Sequence, residues 1–177
     1  MAGLIAPWKA MPMSTSGPPA SRKAAKRAAS LLTALAAAEA PQADAAWTDE
    51  PGVACVVQVA DCLPLLLAAP EGRAVAAVHA GWRGLAGGVV EAALSTLCEA
   101  AGCAPQDVVV WLGPCIGPRH FEVGADVLQA FDQSPLRVDP LRFIARARAD
   151  GAPRWLANLP QLARDRLQRA GVRQVSG

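Results

Sequence analysis

Tyrosine is absent from this 177-residue chain, and three phenylalanines and five tryptophans are its only ring hydrocarbons. So few aromatic side chains leave no stacking platform for a single-stranded nucleic acid. A formal net charge of +2 is too small to imply a polyanionic partner by itself, so no nucleic-acid partner is expected. Two histidines are too few for the His-rich clusters that copper centres need. No apolar run reaches the ~18 residues of a transmembrane helix, so no membrane partner is expected either. The longest run, at 63–69, suits a buried strand. The five cysteines are odd in number and contain no Cys-x-x-Cys pair. That argues against a disulfide framework and for a reducing, cytoplasmic compartment. The N-terminus lacks the charged-then-apolar order of a secretory signal.

What is present is enough to fold. The length fits one domain with a real core, and 53% of residues are hydrophobic against 18% charged. Residues 1–40 stand apart from the rest. They carry Lys9, Arg22, Lys23, Lys26 and Arg27, no acid before Glu39, and an Ala-rich stretch with Leu31, Leu32 and Leu35 at helical spacing. This basic leader reads as partly disordered or loosely helical. A transit peptide, a small basic patch for anionic partners and an altered segment are the competing readings. The folded core is expected over 41–177.

Within that core, 53–59 reads as a buried strand, with Pro64 as an interruption. Residues 65–69 and 74–79 read as two arms of a hairpin about a Glu71-Gly72 turn. A helix is expected over 85–101, stopped by Gly102 and weakened by Gly87 and Gly88. A buried strand follows at 107–112, a short helix at 124–131, a long loop over 132–153, and an amphipathic helix at 158–170 ended by Gly171. A last strand begins at 172–175, so the core is expected to be cut short at its C-terminal end.

Two turns hold the chemistry. Cys62, in Ala60-Asp61-Cys62, precedes one apolar run; His79, in His79-Ala80-Gly81-Trp82-Arg83-Gly84, ends another. A thiolate suits zinc or acts as a nucleophile when its pKa is lowered. A neutral imidazole ligates zinc or serves as acid or base. A small buried cysteine and a histidine hydrogen-bonded at a strand end are the bland alternatives. Arg83, with free backbone N–H groups ahead of a helix, makes an anion site or a surface turn. Trp82 floors a purine-sized pocket or simply packs. Gly113 and Gly117, in Gly113-Pro114-Cys115-Ile116-Gly117-Pro118, let backbone come close to a ligand. Cys115 is a weaker ligand candidate, His120 reads as a polar surface residue, and Asp61 and Glu122 are possible supporting acids.

At these residues the chain resembles the laccase-domain proteins of the YfiH type. The matching stretches are Ala43-Asp44-Ala45 with Thr48, Ala60-Asp61-Cys62-Leu63-Pro64, Val78-His79-Ala80-Gly81-Trp82-Arg83-Gly84, the Gly113–Pro118 turn and Phe121-Glu122-Val123-Gly124. The resemblance implies an α+β fold, a layered α/β/β/α sandwich with mixed sheets, here incomplete relative to the family. It implies a zinc-dependent purine nucleoside phosphorylase, with adenosine deaminase side activity, acting on purine nucleosides and phosphate. These proteins were formerly called polyphenol oxidases. It implies a zinc site of two histidines and one cysteine, of which Cys62 and His79 are two. The other histidine belongs to an upstream Gln-Val-His-Gly motif that this chain lacks, since no histidine precedes His79. The family's Arg-Gly-Gly turn, Cys-Thr pair and Ser-Tyr-Arg-Arg motif are missing as well. Arg83 is then the expected catalytic anion holder, and Trp82, Gly113 and Gly117 the expected substrate-binding residues. A non-catalytic remnant that binds nucleosides or a protein partner, and a metal-free hydrolase using Cys62 with His79, are the two other readings.

Overall fold

The alternation in 63–80 decides the architecture. Leu63, Leu65 and Leu67 are buried, as are Ala76, Val78 and Ala80 facing them on the next strand. Apolar side chains on every second residue put one face of a sheet into the core. The structure, a computed structural model, describes residues 9–11 and 43–177. Strand β3 (Leu63–Ala68) turns through the short 3-10 segment Pro70–Gly72 into β4 (Val75–Ala80). Glu71 takes a left-handed φ of 59° there, which closes the antiparallel hairpin.

Around the hairpin lies a six-stranded mixed sheet in the order β1-β2-β4-β3-β5-β9. It comprises β1 (Lys9–Met11), β2 (Ala45–Thr48), β5 (Val109–Leu112) and β9 (Gln174–Ser176) with the hairpin, and only the β5–β9 pairing is parallel. A second sheet runs β6-β8-β7, from β6 (Glu122–Val123), β7 (Phe143–Ala145) and β8 (Trp155–Ala157), all antiparallel. Helices α1 (Trp82–Ala86), α2 (Val89–Ala101), α3 (Ala125–Ala130) and α4 (Leu159–Arg169) complete the described residues. The α+β class with mixed sheets is therefore as the sequence implies.

Helix α2 buries Val90, Ala93, Leu94, Leu97 and Ala101, spaced three and four apart as an amphipathic stripe requires. They share one core with the inward leucines of β3 and with Leu162, Ala163 and Leu167 of α4. Asn158 caps α4 by accepting a hydrogen bond from the Gln161 amide. Between helices, Arg166 of α4 donates to Glu91 of α2 at 3.1 Å and to the Ala86 carbonyl at the end of α1 at 3.0 Å. On the opposite sheet face, Leu66 and its cross-strand partner Trp111 are exposed.

Four local expectations are corrected. Residues 53–59 are not a buried strand: they form no ladder and alternate between half-buried and exposed. Both edges of β4 are already taken, by β2 and β3, so the segment is held to β4 by the Cys55 thiol, which donates to the Val75 carbonyl at 3.8 Å. Pro64 does not interrupt β3 but lies inside it. It faces His79, whose amide donates the other way, to the Asp44 carbonyl at 2.7 Å. The missing proline donor therefore removes no bond between β3 and β4. The helix expected over 85–101 is two helices, broken at Gly87-Gly88, where Gly88 has φ 90°. The long loop after α3 contains β7. Of the basic leader, Lys9–Met11 forms β1; the remainder of residues 1–40 lies outside the described residues.

Leu65 has no exposed surface. Leu65→Ala is expected to lose ~2–5 kcal/mol of stability through lost burial and the cavity left behind. A shift of the denaturant midpoint at unchanged slope would register it.

Candidate active site

The β3–β4 register pairs Leu63 with Ala80 and Pro64 with His79. Cys62 therefore ends up across from Gly81, where both strands leave the sheet. A Cβ placed on Gly81 would meet Cys62 Sγ at 3.1 Å and His79 Nε2 at 3.5 Å. The thiol and the imidazole thus converge on one spot, and the lack of a side chain at Gly81 leaves it free. Both residues are partly buried.

Asp44 orients the imidazole. Its Oδ1 lies 3.1 Å from His79 Nδ1, while its backbone carbonyl takes the His79 amide. An ionised carboxylate only accepts hydrogen bonds, so in the neutral ring Nδ1 carries the proton and the lone pair is left on Nε2. This carboxylate–histidine arrangement is the one that supports ligating or basic imidazoles. The sequence reading gives Asp44 no role beyond membership of a matching stretch. Its position just before β2, paired with β4, is the signal that would have found it.

The second turn joins the site through backbone bonds. The Ile116 amide donates to the Asp61 carbonyl at 2.9 Å, and the Gly113 amide to the Pro64 carbonyl at 2.9 Å. Cys115 is brought near enough to Cys62 that, after burial, the neighbouring thiol helps push its own pKa upward. Gly113 is small because of packing: a Cβ there would lie 2.7 Å from Pro64 Cγ and 3.0 Å from Trp111 Cζ3. Gly117, by contrast, has open space around it.

Helix α1 places the remaining candidates. Trp82 is half-buried against the core, and the exposed Arg83 lays its guanidinium 4.3 Å from the Trp82 ring centroid. Cation–π stacking of this kind holds the arginine in a fixed place while leaving its N–H groups free for an anion. The helix has only five residues, so any anion affinity rests on the guanidinium more than on a helix dipole. His120 is exposed. Glu122 pairs with Arg148 at 2.9 Å, and Asp61 is exposed, contributing its backbone carbonyl.

The donor chemistry of a thiolate and an imidazole suits zinc. Among the described residues, however, no group of three His, Cys, Asp or Glu side chains is arranged to hold a metal ion. Cys62 and His79 thus fit two positions of a zinc site and leave it short of a third protein donor.

The chain is thus an α+β domain of sheets and helices with Cys62 and His79 at the open end of its central hairpin. The family model described as multi-copper polyphenol oxidoreductase laccase matches residues 21–177, and the chain belongs to this family. The match begins inside the basic leader. The purine nucleoside phosphorylase YfiH of Shigella flexneri is 45% identical over 139 residues, which are 77% of this chain and 52% of that protein. The purine nucleoside phosphorylase PA4543 of Pseudomonas aeruginosa is 45% identical over 141 residues, 77% of this chain and 53% of its own. The crystal structure of Neisseria meningitidis protein NMB0706 superposes with a TM-score of 0.67 at 42% identity, covering 81% of this chain and 56% of that one. The chain thus spans about half the length of the relatives it matches.

Two measurements check this geometry. In Asp44→Ala, the His79 ring loses its Nδ1 partner and is expected to populate the other neutral tautomer. Nitrogen NMR of labelled histidine in alkaline solution reads this, with His120 as the internal reference; unchanged His79 resonances would mean that Asp44 does not set the tautomer. Gly113→Ala is expected to destabilise the fold by ~1–3 kcal/mol, because proline and indole rings cannot yield as a flexible side chain would. Chemical denaturation gives the value.

Proposed function

We propose that this chain is the core of a zinc-dependent purine nucleoside phosphorylase, with hydrolytic deamination of adenosine as a side activity. Its substrates are adenosine, inosine or methylthioadenosine with phosphate; its products are the free base and ribose 1-phosphate. The carrying observation is the convergence of Cys62 Sγ and His79 Nε2 at Gly81. The names of relatives at 44–45% identity support the reaction class. Zinc is the metal that a thiolate–imidazole pair favours. Two histidines in the whole chain do not supply the clusters that several copper ions require.

The chain's own groups account for binding. In phosphorolysis a phosphate oxygen bonds to the ribose C1′ as the bond to the purine nitrogen breaks, and the base leaves with the electron pair. Arg83 follows His79 by four residues, and its stacking on Trp82 holds the guanidinium where it could take the phosphate. The backbone at Gly117 leaves room for a ligand, whereas Gly113 acts by drawing the second turn against Pro64. Residues 41–177 form the working core in this reading, and five free cysteines suit a cytoplasmic setting.

The donor count favours a second reading, a non-catalytic unit that binds nucleosides or a protein partner. The closeness of thiol and imidazole favours a third, a metal-free hydrolase with Cys62 as nucleophile and His79 as base.

Zinc content after dialysis, with and without added imidazole, separates them, with Cys62→Ala as control. The phosphorylase reading expects about one zinc per chain, lost in the control, and phosphate-dependent release of hypoxanthine from inosine. Arg83→Ala is expected to lower kcat/KM for phosphate by about 10–100-fold, as loss of a charged hydrogen bond would. No zinc under either condition and no phosphate-dependent base release would sink it. Hydrolysis that resists chelators but is abolished by thiol alkylation would select the third reading.

A further inference from the structure

Helix α2 ends on a left-handed glycine, Gly102 (φ 60°, ψ 42°). The amides of Gly102 and Cys103 both donate to the carbonyl of Cys98, the second at 3.1 Å. This termination doubles the chain back and lays the residue after the glycine against the last helical turn, a contact that is normally apolar. Here both partners are cysteines. Both thiols are free and partly buried, and both line one surface groove of about 400 Å³ with Glu91, Glu99, Pro105 and Ala170. Neither belongs to the Cys62–His79–Asp44 group.

We propose that Cys98 and Cys103 form a reversible oxidation site that closes to a disulfide by exchange with a small-molecule disulfide of the glutathione type. A disulfide needs a Cα separation of ~4–7 Å, and the backbone hydrogen bond between these two residues holds them in that range. The backbone separation at the helix end therefore permits a bridge, and the groove leaves both thiols open to solvent.

The exchange balances as follows. The Cys103 thiolate attacks one sulfur of the small disulfide. That S–S bond breaks, and one thiolate leaves with the electron pair and takes a proton from water. Cys98 then releases its proton to solvent, and its sulfur attacks the Cys103 sulfur and expels the second small thiol. Two protein thiols are oxidised to one disulfide, and the small disulfide is reduced to two thiols. Burial first, then the neighbouring Cys103 and Asp107, hold the Cys98 thiol up at about 11. A thiol held up in this way is a poor leaving group, so the closed bridge resists the return attack on Cys103.

The test treats the folded, fully reduced chain with oxidised glutathione, then alkylates and digests after Glu99 and Asp107. These cuts separate the two cysteines from each other and from Cys115. The proposal expects the free-thiol titre to fall by two from five, with one linked pair of peptides holding Cys98 and Cys103 and reopening under a dithiol reductant. Cys98→Ser is expected to accumulate a glutathione adduct on Cys103 in place of the bridge. Separate adducts on both cysteines of the parent chain, a bridge dominated by another pair, or no loss of thiol at either position would overturn it.

Discussion

The register of the β3–β4 hairpin is the constraint from which the candidate site follows. Side chains alternate across a strand, so a slip of one residue would carry Leu63, Leu65 and Leu67 out of the core and turn the opposite set inward. The buried face therefore enforces the pairing of Leu63 with Ala80 and Pro64 with His79. That pairing places Cys62 one step beyond the last rung, level with Gly81. The meeting of thiol and imidazole is thus held by the burial of aliphatic side chains that take no part in any chemistry. The left-handed Glu71 and Gly72 at the other end of the hairpin turn the chain between the last paired residues, Ala68 and Val75.

Close approach then depends on atoms that are missing. Gly81 has no Cβ where Sγ and Nε2 converge, and Gly113 has none where Pro64 and Trp111 press in. Pro64 serves both sides. Its ring packs against Gly113, its carbonyl takes the Gly113 amide, and its lack of N–H costs no bond toward β4 because His79 turns its own amide to Asp44. Asp44 grips His79 twice, through the backbone and through Nδ1. Strand pairing and imidazole orientation are in this way one arrangement, and neither can shift without the other.

These dependencies explain what was legible in the chain. The hairpin and the stops at Gly102 and Gly171 are local patterns, and they read correctly. Residues 53–59 carry the same apolar pattern but form no strand, because β2 from farther upstream occupies the edge of β4; competition for an edge leaves no trace in the losing segment. The break at Gly87-Gly88 was visible as weakness but not as a division. Asp44 lay 35 residues from His79, so only the β2–β4 pairing could reveal it. Cys98 and Cys103 lack the Cys-x-x-Cys spacing that signals a thiol pair, since a helix followed by a left-handed glycine brings together residues five apart.

Partners, rather than sequence context, sort the five cysteines. Cys55 donates to a carbonyl, and burial raises its pKa to about 11; a thiol so placed is a packing group, little ionised and tied down. Cys115 is pushed up by burial and by Cys62, so its nearness to the site does not make it a thiolate. Cys98 faces another thiol, and the chemistry open to it is exchange of sulfur bonds. Cys62 alone faces an imidazole whose proton is pinned on the far nitrogen by a carboxylate. The lone pair on Nε2 is then left to the space beside Gly81 that the thiol also borders, which is what either a metal ion or a nucleophilic sulfur needs. Because the sheet supplies that geometry in advance, a further donor would add affinity to the site without having to build it.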